Sequence, residues 1–134
     1  MKRKILTLTM TIVSICPVPS YSAEISFKCD TSKHHIVIEK AGAAQYTYRA
    51  WNKPKDSANK PDLEINNGFA DLVGGSLCRG PTYFFDKGNV EIMVGDMAGD
   101  SEACYNEETP PKNAYGYVTV SINKEIKSQY WCIR

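Results

Sequence analysis

Apolar and polar side chains alternate in the segment GYVTVSINKEIKSQYWC, residues 116–132 of the 134-residue chain. The alternation breaks only at Asn123 and Lys124, where a short turn is expected. Strict period-two alternation on both sides of an Asn-containing turn is typical of a β-hairpin. The predicted inward positions are Gly116, Val118, Val120 and Ile122 on the first strand and Ile126, Ser128, Tyr130 and Cys132 on the second.

The same alternation recurs along the rest of the chain. Strands are predicted around Phe27, Ile36 and Tyr48, and a short strand from Leu63 is expected to end at Asn66-Asn67-Gly68. A second hairpin is predicted over residues 83–94, with its turn at 86–89. No segment has a convincing helical period. We therefore expect an all-β fold, a small antiparallel β-barrel or sandwich built as a meander of about seven to eight strands.

The first 22 residues have the pattern of a secretory signal peptide. A basic N-terminus precedes a short apolar run at residues 5–15, and Ser20 and Ser22 provide small side chains for cleavage after Ser22. Residues 23–134 are then expected to form one exported domain, periplasmic in a bacterium or secreted.

Removal of the leader changes the charge of the chain. The 16 basic residues fall to 13 with the loss of Lys2, Arg3 and Lys4, against 15 acidic residues, so the formal net charge of the mature chain is −2. A nucleic-acid-binding domain normally has a basic balance. The composition therefore predicts no nucleic acid partner, and no membrane association is expected after the leader is removed.

Four cysteines remain in the mature chain, and an even number in a small exported domain indicates disulfides. Cys29 and Cys132 are in register with the apolar residues of their own strands, so both are expected to point inward and to join the first strand to the last. The nested pairing then leaves Cys78–Cys104. Sequence allows three pairings and does not choose among them.

No catalytic residue, metal ligand set or cofactor is predicted. The four cysteines are better explained as disulfides, and no Gly-rich phosphate loop, zinc spacing or Gly-x-Ser-x-Gly elbow is present. His34 and His35 are adjacent, so in a strand they point to opposite faces and cannot chelate one metal together.

Two features favour binding through exposed side chains. Residues 86–108 hold seven acidic residues against Lys87 alone, and loop 95–112 is long enough to be functional. Both tryptophans fall on predominantly polar strand faces, and Trp, Tyr and Arg often anchor interfaces. The predicted interface residues are Arg49, Trp51, Asp96, Asp100, Glu102, Tyr105, Glu107, Glu108 and Trp131. The alternative explanation of the acidic loop is that its charges only keep the protein soluble. For the tryptophans, the alternatives are that they cover the ends of the barrel or that a bulge reverses their predicted faces.

The two ends of the chain are similar in plan to the small periplasmic inhibitors of C-type lysozyme. In that family an aromatic-x-Cys near the mature start, here Phe27-Lys28-Cys29, is matched by a cysteine near the C-terminus, here Cys132. The resemblance covers only the terminal strands and implies a similar architecture. The Ser-Gly-x-x-Tyr inhibitory motif is absent, so no inhibitory residue is carried over.

The leading hypothesis is a periplasmic protein-binding module, an inhibitor or immunity protein that blocks a basic cell-wall hydrolase or a secreted toxin. A small-ligand or glycan-binding barrel is the alternative, with Tyr46, Tyr48, Phe84 and Tyr130 lining a cup. A hydrolase that uses paired carboxylates is a third possibility, because two carboxylates can meet in space without a sequence motif.

Overall fold

The computed structural model describes Cys16 and residues 23–72, 80–97 and 110–134. Each strand pairs antiparallel with the next, so the sheet order follows the sequence and the sheet curves into a half-barrel. The predicted all-β meander is confirmed. The eight strands are β1 (Glu24–Asp30), β2 (His34–Lys40), β3 (Tyr46–Asn52), β4 (Leu63–Leu72), β5 (Pro81–Lys87), β6 (Val90–Asp96), β7 (Ala114–Ile122) and β8 (Glu125–Ile133). Within the described ranges no helix is long and apolar enough to cross a membrane.

Both predicted hairpins are present, but the predicted inward position of Ile126 is wrong, because a register shift pairs it with Ser121 and leaves it 69% exposed. In β7–β8, Ile122 is opposite Glu125, and the intervening Asn123 and Lys124 have positive φ values of 52° and 65°. Two consecutive positive φ values define a type I′ turn, whose twist matches that of the flanking strands. In β5–β6 the turn is at Gly88, which takes a φ of 64° at little steric cost.

The interior is filled by one inward-facing set of side chains from all eight strands. Phe85, Ile38, Val94 and Val118 are among its largest fully buried members. Aromatic rings pack against one another across the interior, including Tyr48 and Phe85 with centroids 5.4 Å apart. Burial raises the pKa of the Tyr48 hydroxyl. The inward-facing side chains therefore form a packed core.

The first and last strands are joined by the predicted Cys29–Cys132 disulfide. The two Cα atoms are 5.0 Å apart, and the residues are 1% and 0% exposed. Gly116 makes room for this bond, because a Cβ there would lie 2.9 Å from Cys132 Sγ and 2.7 Å from the Gly95 carbonyl oxygen. The backbone amide of Asp30 also donates to the Tyr115 hydroxyl, 2.9 Å away. Cys78 and Cys104 lie outside the described residues.

One strand boundary was predicted wrongly. The strand that starts at Leu63 does not end at Asn66-Asn67-Gly68 but continues to Leu72. Ile65 is opposite Tyr48 and Gly68 is opposite Tyr46, so β4 has one more residue than β3 over this interval. Asn67 takes a φ of 63°, a value that Asn tolerates better than most residues. The turn-like tripeptide is therefore a β-bulge inside a long strand.

Candidate interaction surfaces

The predicted exposure of Trp51 is wrong. Trp51 shares the outer face of β3 with Thr47 and Arg49, as the alternation predicts, but it is only 4% exposed. Its indole Nε1–H donates a hydrogen bond to the Asn59 carbonyl oxygen, 2.8 Å away. The polar segment after β3, residues 52–62, folds back over this outer face and packs against the tryptophan. We call this segment the Trp51 loop.

The loop over Trp51 is held by contacts at its two ends. Asp62 accepts a hydrogen bond from the backbone amide of Asn52 at 2.8 Å and another from Lys55 Nζ at 2.6 Å. The Lys55 bond, followed by the Asn52 amide, lowers the pKa of Asp62. Residues 52–60 are otherwise exposed.

Arg49 lies between two carboxylates on the outer face of the first four strands. Its Nε donates to Glu64 Oε2 at 2.7 Å, and its Nη1 contacts Glu39 Oε2. The hydrogen bond to Glu64 is the main cause of the raised pKa of Arg49. A partner that uses this guanidinium must therefore compete with two carboxylates of the same chain.

An open depression of about 290 Å³ lies between the Trp51 loop and strands β1–β3. Arg49 and Trp51 both line it, with Ile25, Lys28 and Pro61. The structure thus brings two of the predicted interface residues together. A second depression, of about 170 Å³, lies alongside and includes His35, whose Nδ1 contacts Asp30 Oδ1.

The other predicted interface residues lie elsewhere. Trp131 is half-buried on β8, opposite Tyr117 of β7. Asp96 is the half-buried last residue of β6, and its charge adds to burial in raising the pKa of Tyr83. The structure does not place Trp131 or Asp96 in the depressions that Arg49 and Trp51 line. Asp100, Glu102, Tyr105, Glu107 and Glu108 lie outside the described residues.

An aromatic surface that the sequence analysis missed lies on the outer face of β4–β6. Phe69 is 52% exposed and stacks on Phe84, with ring centroids 5.0 Å apart and planes at 16°. Met93 is opposite Phe84 on the next strand and is half-buried. We call Phe69, Phe84 and Met93 the β4–β6 stripe.

The bulge in β4 is what puts Phe69 on the outside. Ile65 is buried in the core, so strict alternation would turn Phe69 inward as well. The extra residue shifts the phase, which makes Gly68 the inward residue and Phe69 an outward one. A Cβ at Gly68 would lie 2.2 Å from the Phe85 ring, so glycine is required there for packing. Reading Asn66-Asn67-Gly68 as a bulge would have predicted the exposed Phe69.

Acidic residues flank the stripe. Asp86 and Glu91 are directly opposite each other on β5 and β6, two residues from Phe84 and Met93 respectively, and both are exposed. Asp71 is exposed two residues after Phe69 on β4. From Phe69 to Gly95, the described outward positions of β4–β6 hold no lysine or arginine.

The four aromatic residues proposed to line a cup are not on one surface. Tyr48 is buried in the core, and Tyr46 packs edge-on against Tyr83 with centroids 5.2 Å apart. Phe84 points outward, and Tyr130 packs against the ring of His34 at 5.5 Å. Among the described residues, no group of three or more His, Cys, Asp or Glu side chains is arranged to hold a metal ion.

No protein-family model matches this chain, and comparisons with curated proteins and with solved structures likewise return no match.

Proposed function

We propose that this protein is an exported protein-binding module, most concretely an inhibitor or immunity protein that blocks a cell-wall hydrolase or a secreted toxin. The observation that carries the proposal is the half-exposed Phe69 ring stacked on Phe84. Contiguous exposed aromatic side chains on a small protein mark interaction surfaces more often than isolated apolar residues do.

The packing of the half-barrel supports binding on the outside. The inward-facing side chains form one buried cluster, so the aromatic surface available to a partner is on the outer face. A sheet whose ends are covalently joined presents this face with little freedom to lose on association. Export is supported by the leader pattern, and the buried disulfide is compatible with an oxidising compartment.

The test uses residues 23–134 with the disulfide formed. The protein is titrated into purified C-type lysozyme first, because the chain ends resemble inhibitors of that enzyme, and then into other cell-wall hydrolases and secreted toxins. We expect stoichiometric loss of activity of at least one enzyme, with a dissociation constant below about 1 μM, the affinity of a specific complex.

A deletion strain provides the matching test in the cell. Cells that lack the protein should become more sensitive to the same enzyme, and re-expression of the full-length chain should restore protection. No inhibition in the panel, together with unchanged sensitivity of the deletion strain, would show that the proposed function is wrong.

A further inference from the structure

The outer face of β4–β6 combines an apolar stripe with unneutralised negative charge. Phe69 and Phe84 give two parallel rings, and Met93 extends the apolar surface by one strand. Asp86 and Glu91 border it and make no ion pair with any residue that the structure describes. We propose that this face docks a basic protein segment, with an arginine or lysine of the partner lying against the Phe69–Phe84 pair within reach of these carboxylates.

The two opposed carboxylates of Asp86 and Glu91 favour a cation between them. Like charges directly opposite each other in an antiparallel pair repel and destabilise the sheet. Elsewhere on this protein neighbouring carboxylates share a cation, as Glu39 and Glu64 share Arg49. A basic side chain from a partner would occupy the corresponding position between Asp86 and Glu91.

The aromatic rings also favour a basic side chain of the partner. A guanidinium or ammonium group is attracted to the face of an aromatic ring, and arginine also stacks on it through its planar group. Residues on alternate positions of one strand share a face, so a side chain lying on Phe84 can reach Asp86. Apolar contact and charge pairing are thus available to a single partner residue.

The charge of the face excludes two other classes of macromolecule. Nucleic acids and anionic lipid surfaces carry phosphate groups, which Asp86 and Glu91 would repel. A protein segment with alternating basic and apolar residues satisfies both parts of the surface. This inference deepens the proposed function, on which it rests for the assumption that the partner is a protein.

The first experiment tests the surface independently of any natural partner. A synthetic peptide of alternating arginine and leucine is titrated into ¹⁵N-labelled residues 23–134, and chemical-shift changes are mapped. We expect changes centred on β4–β6. The Phe69→Ser variant and the Asp86→Asn/Glu91→Gln variant should each raise the dissociation constant about tenfold. All three substitutions are at exposed positions, and unchanged circular dichroism and urea midpoints verify the fold.

Matched controls separate this surface from general effects. Ile126→Ser removes an apolar side chain that is 69% exposed outside the stripe. Glu24→Gln/Glu125→Gln removes the same charge as Asp86→Asn/Glu91→Gln from exposed positions elsewhere. Neither control should change the affinity more than about twofold. Shift changes centred elsewhere, or equal losses in variants and controls, would overturn the inference.

The second experiment repeats these variants with any enzyme that the wild-type protein inhibits. If inhibition is retained in Phe69→Ser and in Asp86→Asn/Glu91→Gln, the docking surface is wrong and the proposed function stands. If the peptide binds β4–β6 but no hydrolase or toxin is inhibited, the surface stands and the proposed function is wrong.

Discussion

Removal of the Cys29–Cys132 disulfide is expected to cost a large part of the stability of this protein. The bond joins residues 103 positions apart, and in the chain-entropy model a loop of that size contributes about 4.7 kcal/mol. Small domains have total unfolding free energies of about 5–15 kcal/mol. The Cys29→Ala/Cys132→Ala variant should therefore be close to the limit of folding at 37 °C.

Urea unfolding of residues 23–134, followed by tryptophan fluorescence and circular dichroism, measures the loss. Trp51 is a suitable probe because it is buried in the folded state. We expect a decrease of about 4–5 kcal/mol, with a steeper denaturant dependence because the unfolded chain without the cross-link exposes more surface.

Two comparisons separate the cross-link from side-chain packing. In a Cys78→Ser/Cys104→Ser background, reduced protein keeps both sulfur atoms of the Cys29–Cys132 pair, so the difference from oxidised protein reports the cross-link alone. The alanine variant adds the packing lost when the two buried Sγ atoms are removed. A loss below about 1 kcal/mol in both comparisons would refute the reasoning, since the loop-closure term alone is several times larger.

Three further predictions concern local features. Gly68→Ala should cost about 2 kcal/mol by overpacking the core, whereas Gly42→Ala, with no atom closer than 3.9 Å to its Cβ, should be near neutral; urea midpoints compare them. Trp51→Phe should cost about 1 kcal/mol through loss of the hydrogen bond to Asn59 and should speed proteolysis of the covering loop, and unchanged cleavage would contradict this. Burial, with Lys33 and Lys53 nearby, lowers the pKa of His34 below 6.5, so the unfolded state binds more protons and stability falls as pH drops from 6.5 through the folded-state pKa. His34→Asn should flatten that part of the pH profile, measured by urea midpoints between pH 7.5 and pH 5.

Local sequence patterns predicted most of the strands and the Cys29–Cys132 disulfide. Period two in residues 116–132 predicted the last hairpin, and the same alternation placed Cys29 and Cys132 in the interior. Those inferences succeed because each depends on neighbours along one strand and on the alternation of strand side chains.

The errors come from interactions that strand periodicity does not encode. Asn66-Asn67-Gly68 has the composition of a turn, and only pairing with β3 shows that it is a bulge. Trp51 was placed on the correct face, but its burial depends on a loop that returns eight residues later to place the Asn59 carbonyl against the indole. The β4–β6 stripe was missed because the bulge was taken for a turn, and the exposed ring of Phe69 follows that bulge directly.

The bulge at Asn67 also makes β4 sensitive to changes in length. Deletion of Asn66 or Asn67 alone would remove the extra residue, and regular alternation from Ile65 would then keep Gly68 and Ala70 inward and Phe69 outward. Deletion of both residues would instead turn Phe69 and Asp71 inward and Ala70 outward. Deletion of one asparagine should therefore be tolerated far better than deletion of both, and the folded yields of the two length variants would measure the difference.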